Sequence, residues 1–318
     1  MHKGAVGGKA IKAANRAVNL ATIIIVMTLL AYAVYALWDS RQITKAADKS
    51  VYERYKPTVE NQGKTFVQLQ EINEEVIAWI SVFGTNIDYP VTQGRDNMKY
   101  VDTNAEGRYS LSGSVFLDAG NSRLFDDFNS ILYGHHMEKR VMFGEIGGFS
   151  DKETFDGHRY GQLYFDGRDH GIEFFAFVHA DAYDQSVFTP GLEGADRQAY
   201  VDNLLETAML SRDIGVTIED QLILLSTCSS GSTNGRDILV GRITDQPFEI
   251  PAAFPENDNT AGRNRREGLL EEIQLPLYLS VLLMLIPVTR LLIRIMDRHK
   301  AKKGSRRSVR RTKGADSS

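Results

Sequence analysis

The sequence predicts a mainly β domain, a closed barrel or a sandwich with few helices, held between two apolar segments of membrane-spanning character. Two observations predict it. Between residues 79 and 243, about eight short runs rich in Val, Ile, Phe and Tyr recur, separated by Gly, Asn and Asp. On either side of that region lie an uncharged run, 17–38, and a second apolar run, 275–293, each beside a cluster of cations.

Charge gives the chain a direction. Residues 1–16 carry Lys3, Lys9, Lys12 and Arg16 and no acid, and residues 290–318 carry eleven Lys or Arg against Asp297 and Asp316. Taking both ends from the chain's 37 cations and 41 acids leaves 22 and 39, a balance of −17 in the middle. Such a middle is a poor partner for nucleic acid, whose phosphates need clustered cations. Cationic ends read as cytoplasmic and the acidic middle as extracellular. The basic tail also suits an anionic inner leaflet, so the lipid bilayer is an expected partner.

From the N-terminus, 1–16 is a cytoplasmic basic segment and 17–38 a transmembrane helix. Its length spans about 33 Å at the helical rise, enough for a bilayer core of about 30 Å. Tyr32, Tyr35 and Trp38 cluster at its far end like an aromatic belt. The run is longer than a signal-peptide core and lacks a small-residue cleavage site, so it reads as a retained anchor. Residues 39–64 form a stalk or a packed leading helix, closed by Pro57. Residues 65–250 form the folded domain, 251–273 a turn-rich linker, 274–296 a second membrane segment, and 297–318 a basic cytoplasmic tail. Within the second segment Arg290 interrupts the apolar run, and its guanidinium can snorkel to the interface.

In the domain, apolar spacing predicts a helix over 66–80 that gives way to a strand near Trp79. Strands are predicted over 79–83, 86–91, 114–117, 130–133, 162–165, 172–179, 221–225 and 238–243. A short helix is predicted over 142–146 and a long one over 195–211. No repeat and no metal-finger spacing occurs.

The chemistry centres on the one cysteine, Cys228, at the end of the run 221–225. One cysteine permits no internal disulfide, so an exported domain rests on its own core. A free cysteine is usually a small buried hydrophobe. As a nucleophile it needs a thiolate or a base. Of seven histidines, His135 and His136 follow the run 131–134 at a strand end; on a continuing strand their side chains point to opposite faces, so only one can meet Cys228. The same alternation argues against a shared metal ion, and no third ligand is suggested. Arg236 opens the run 238–240 and suits an oxyanion, although strand-end arginines are commonly solvated or ion-paired.

Together, Leu224-Leu225-Ser226-Thr227-Cys228, Arg236 and Tyr133-Gly134-His135 resemble the sortase signature. The class B branch is matched by Trp79-Ile80, by Gly84-Thr85-Asn86-Ile87-Asp88-Tyr89-Pro90-Val91, and by Gln93-Gly94-Arg95-Asp96-Asn97. Gly113-Ser114-Val115-Phe116-Leu117-Asp118, His136-Met137 and Met142-Phe143 extend the match. The resemblance covers about residues 65–245. It implies a closed eight-stranded β-barrel and a membrane-anchored cysteine transpeptidase of Gram-positive bacteria, with no cofactor and no metal. By resemblance, Cys228 attacks the Thr carbonyl of a surface protein's C-terminal sorting signal, and His135 serves as acid and then base. Arg236 serves the oxyanion, and Asn97, Val101, Ser226 and Thr227 line the signal-binding groove. The acceptor is an amine of a cell-wall precursor or, alternatively, of a pilin. One departure stands out: a typical class B sortase has only the N-terminal anchor, whereas a second membrane segment is a trait of pilus-assembling sortases of another class. No lid-like Asp-Pro segment precedes the barrel.

Other classes fit less well. In papain-like hydrolases Cys precedes His, the reverse of the order here, and the Ser-His-Gly-Cys stretch of L,D-transpeptidases is absent. A membrane-tethered β-barrel receptor or scaffold is the non-enzymatic alternative, with an inert, buried thiol.

Overall fold

The structure is a computed structural model that describes residues 4–58, 63–194, 196–229 and 233–250. The chain divides into two units, the second beginning at Asp39. The second membrane segment expected at 274–296 and the tail lie outside the described residues.

Helix α1 (Gly4–Ala47) contains the stretch Ala13–Ala47, whose most apolar 18-residue window has a mean hydropathy of 2.3 and is not buried at all. Among the described residues it is the one helix long and apolar enough to cross a membrane. Ile23, Ile24, Ile25, Leu29, Leu30 and Leu37 are all exposed, so no protein core accounts for them. Thr22 and Thr28 donate to the carbonyls four residues back, which pairs both threonine hydroxyls within the helix.

From Ala47 the chain packs against the domain rather than forming a free stalk. Ala47, Tyr52 and Tyr55 are buried in the main core, across two short 3-10 turns, the first capped by Asp48 on the Ser50 amide. Helix α2 (Lys64–Ile72) turns Phe66 and Leu69 inward. It ends well short of the predicted residue 80. The Asn73 side chain takes the Glu75 amide for itself, and the β-branched pair Val76-Ile77 opens a strand.

Strands β1 (Val76–Val82) and β2 (Asp88–Thr92) form a hairpin, and β3 (Val115–Leu117) lies parallel to β2. Next is β4 (Asn129–Tyr133), antiparallel to β3. The helix predicted over 142–146 is absent, because Met142 sits at φ 52° and is bridged to His136; a 3-10 turn forms later, at Ile146–Ser150. Helix α3 (Lys152–Gly157), capped by Asp151, leads into the hairpin of β5 (Tyr160–Phe165) and β6 (Arg168–Asp181). Helix α4 (Asp196–Thr207) is shorter than predicted. Its expected last turn is instead β7 (Ala208–Ser211), which pairs with β6. Strands β8 (Gln221–Cys228) and β9 (Gly235–Thr244) complete the domain.

The strands run in the order β5-β1-β2-β3-β4-β8-β9-β6, and β6 pairs back onto β5, which closes an eight-stranded barrel. β7 is a ninth strand added to β6 outside that circuit. Closure depends on small residues beside Phe174. A Cβ on Gly161 of β5 would lie 3.0 Å from the Phe174 ring and 2.6 Å from the Ser81 carbonyl, and one on Gly241 of β9 would lie 3.0 Å from the same ring. Glycine at both places lets β5, β6 and β9 wrap a full phenyl group.

Two cores result. Leu132, Phe174, Ile223, Leu225 and Leu239 fill the barrel. Ile131, Leu222, Leu224, Ile238 and Val240 face the other way and are covered by Tyr200, Val201 and Leu204 of α4. β8 is therefore buried on both faces, which is why its sequence is a continuous apolar run.

His170 of β6 is 3% exposed and stacks on Phe165 with ring centroids 3.8 Å apart. Burial holds its pKa below the usual histidine value. The unfolded chain then binds a proton that the folded barrel refuses, so stability is full above about pH 6.5 and falls as the pH drops below it. In denaturant titrations from pH 7 to 5, His170→Asn is expected to flatten that decline relative to wild type. An unchanged slope would show that other groups set it.

Candidate active site

Three neighbouring strands end at one rim of the barrel. β4 runs parallel to β8, with Tyr133 beside Ser226. The pairing continues past the strand: the Gly134 amide donates to the Ser226 carbonyl at 3.1 Å, and the Thr227 hydroxyl donates to the Gly134 carbonyl at 2.8 Å. The next residue on one chain is His135 and on the other Cys228. β9 runs antiparallel to β8 and sets Arg236 directly opposite Cys228. The Ser229 amide still donates to the Gly235 carbonyl at 2.9 Å, so the pairing holds to the tip.

Alternation sorts these side chains. Ser226, Cys228, Arg236 and Ile238 share the face turned away from the barrel interior, and Tyr133 shares it through its pairing with Ser226. Thr227 and Asp237 point to the opposite face. Asp237 accepts from the His179 ring at 2.9 Å there.

Cys228 is exposed. Arg236 is half-buried, and its Nη1 donates to the Gly235 carbonyl at 3.0 Å. The His135 ring Nε2 lies 2.8 Å from the Val101 carbonyl, and the His135 carbonyl accepts from the Phe143 amide at 3.1 Å. Among the described residues no hydrogen bond joins His135 to the thiol. Val101, predicted to line a groove, thus meets His135 through its backbone. His136 is bridged through its backbone to Met142, and its Nδ1 is buried without a hydrogen-bond partner among the described residues. Among the described residues no group of three His, Cys, Asp or Glu side chains is placed to hold a metal ion.

The four residues expected to line the groove are not equivalent. Ser226 and Thr227 are 1% and 2% exposed, so neither offers a side chain to a ligand in this state. They sit in the tightly paired strand, and the Thr227 hydroxyl is spent on Gly134. Asn97 is half-buried and tied at both ends: its amide donates to Asp118 at 2.8 Å, and its carbonyl accepts from the Ala119 amide at 2.8 Å.

Asp118 is a hub that the sequence reading did not single out. Its carboxylate accepts from the Tyr133 hydroxyl at 2.9 Å, from Asn97, and from the Gly120 amide at 2.8 Å. Burial, and then the Asp118 charge, push the Tyr133 hydroxyl well above the usual phenol range, while Arg236 pulls the other way. The Tyr133 ring lies between Phe116 and Phe188. The available signal was the position of Asp118 at the end of the motif 113–118.

An exposed thiol opposite an arginine, beside Tyr-Gly-His on a closed eight-stranded barrel, defines a sortase, a cysteine transpeptidase. No protein-family model matches the chain. Relatives do match. Sortase B from the type II pilus of Streptococcus pneumoniae is 49% identical, with 56% of this chain and 98% of that one aligned and a TM-score of 0.50. A class B sortase of Streptococcus pyogenes involved in pilus biogenesis is 38% identical over 57% of this chain and 99% of that one, with a TM-score of 0.53. Sortase B of Staphylococcus aureus is 28% identical over 182 residues, 56% of this chain and 74% of that protein. The chain belongs to the class B sortases, the sortase B family.

Asp118→Ala leaves the Tyr133 hydroxyl and the Asn97 amide without their buried acceptor. It is expected to lower the unfolding free energy by about 1–3 kcal/mol in chemical denaturation. Asp118→Asn keeps one acceptor oxygen and is expected to lose less.

Proposed function

We propose that this is a membrane-anchored sortase that cuts a C-terminal sorting signal after Thr and joins the acyl group to a primary amine. The observation that carries the reading is the register that sets Cys228 opposite Arg236 and beside the Tyr133-Gly134-His135 segment. The Cys228 thiolate attacks the Thr carbonyl carbon, and the carbonyl electrons move onto oxygen. Arg236 donates to that oxyanion. As the intermediate collapses, the C–N bond breaks and His135 protonates the departing amine, leaving a thioester on Cys228. The incoming amine attacks the thioester, gives its proton to His135, and the thiolate leaves as the new amide forms.

Asn97 and the Val101 segment border the substrate groove, whereas Ser226 and Thr227 support it from within the strand. The substrates are surface proteins bearing sorting signals, and nucleic acid is not a partner. Helix α1 holds the enzyme in the bilayer, with both basic ends cytoplasmic and the domain extracellular. The exposed thiol argues against an inert scaffold. Of the two acceptors, a cell-wall precursor and a pilin lysine, the pilin is favoured by the 49% and 38% identities to relatives described as pilus enzymes.

The test is cleavage of a fluorogenic sorting-signal peptide. Cys228→Ala is expected to abolish it. Arg236→Ala is expected to lower kcat about 10²–10³-fold, the loss typical of one oxyanion donor. Undiminished cleavage by Cys228→Ala would reject the reading.

A further inference from the structure

We infer that Tyr89 is a positioning residue for His135, and that it ties the end of helix α1 to the segment that holds that histidine. The inference rests on the proposed role of His135 and deepens it. Tyr89 lies on β2, is 1% exposed, and pairs with Ile80 across the hairpin. Its hydroxyl donates to the carbonyl of Ala47, the last residue of α1, at 3.0 Å. The same oxygen accepts from the Met142 amide at 2.9 Å. Burial keeps this hydroxyl neutral by pushing its pKa upward, so the donated proton is retained.

Met142 is where the segment after His135 turns back. It holds φ 52°, a left-handed conformation that is costly for a residue with a side chain, and Lys139 and Arg140 hold φ 62° and 60° in the same turn. Such a turn persists only if its surroundings fix it. Three contacts place it against the histidines. Met142 is bridged to His136, the Phe143 amide donates to the His135 carbonyl, and the Phe143 ring packs on Gly134, where a Cβ would come within 2.7 Å of it.

The β1–β2 hairpin holds the segment at a second point. Glu145 accepts from the Asn86 amide at 2.6 Å and from the Asn86 side chain at 3.1 Å. The two tethers differ in what they reach. Asn86 belongs to the hairpin turn, whereas Tyr89 reaches back to the end of α1. The Ala47 carbonyl orients the hydroxyl proton, which leaves a lone pair for Met142. The backbone of His135 thereby receives its position from the last turn of the long apolar helix.

The experiment uses the full-length protein in detergent micelles. Tyr89→Phe keeps the ring and removes the hydroxyl. Ala47→Gly loosens the end of α1 without touching the ring. Tyr55→Phe removes another buried hydroxyl, bonded to Glu106 and apart from the histidine segment, and serves as the control. We expect Tyr89→Phe to lower kcat on a sorting-signal peptide at least fivefold with KM changed less than twofold. We expect at least tenfold faster hydrogen exchange at the Met142 and Phe143 amides. Ala47→Gly is expected to move both readouts in the same direction by less, and Tyr55→Phe to lower Tm alone. A Tyr89→Phe enzyme that loses Tm but keeps wild-type kcat and wild-type protection at those amides overturns the inference. If wild type does not cleave the peptide, the proposed function fails instead. Exchange at Met142 and Phe143 then decides: faster exchange upholds the clamp, and unchanged protection removes it.

Discussion

The register of β8 against its two neighbours is the constraint on which the site depends. β8 is parallel to β4 and antiparallel to β9, so one strand tip meets the end of one neighbour and the beginning of the other. A thiol, a cation and a histidine segment thus reach one rim from three separate stretches of sequence. Because side chains alternate, a slip of one residue would turn Cys228 to the Thr227 face and separate it from Arg236. Burial on both faces of β8 makes that slip expensive, since it would also exchange the contents of the two cores.

The surrounding structure turns that register into a rigid rim. Phe174, wedged beside Gly161 and Gly241, fixes where β5, β6 and β9 close. Asp118 holds Tyr133 and Asn97, so the surface beside the proposed groove is built from satisfied hydrogen bonds. Thr227 ties Gly134 to β8 on the opposite face from the thiol. Of the three side chains proposed to react, Cys228 is exposed and Arg236 and His135 are half-buried, which suits the proposed chemistry on a peptide substrate.

Much of the barrel was legible in the sequence because strands buried on one or both faces leave short β-branched and aromatic runs bounded by turn residues. All eight predicted strands overlap the observed ones. The errors were at junctions, where tertiary context outweighs local preference. Residues 208–211 read as the end of a helix, yet the free edge of β6 draws them into β7. Residues 142–146 have helical spacing, but the contacts of Met142 with Tyr89 and His136 impose a left-handed turn. At the site, Cys228, His135 and Arg236 stood out by residue type and motif. That Ser226 and Thr227 are buried could not be read, because a strand end and a groove lining look alike without the neighbouring strand. The Asp118 hub and the Tyr89 bridge join residues 15 to 53 positions apart, and no local pattern marks them.

The central claim is that the thiol on the tip of β8 carries the acyl group. Its most direct measurement is intact and tandem mass spectrometry of the full-length protein, quenched during turnover of a sorting-signal peptide. An adduct equal to the peptide up to its Thr is expected on Cys228, released by hydroxylamine as a thioester. Peptide cleavage with no adduct on Cys228, or an adduct on another residue, would contradict it.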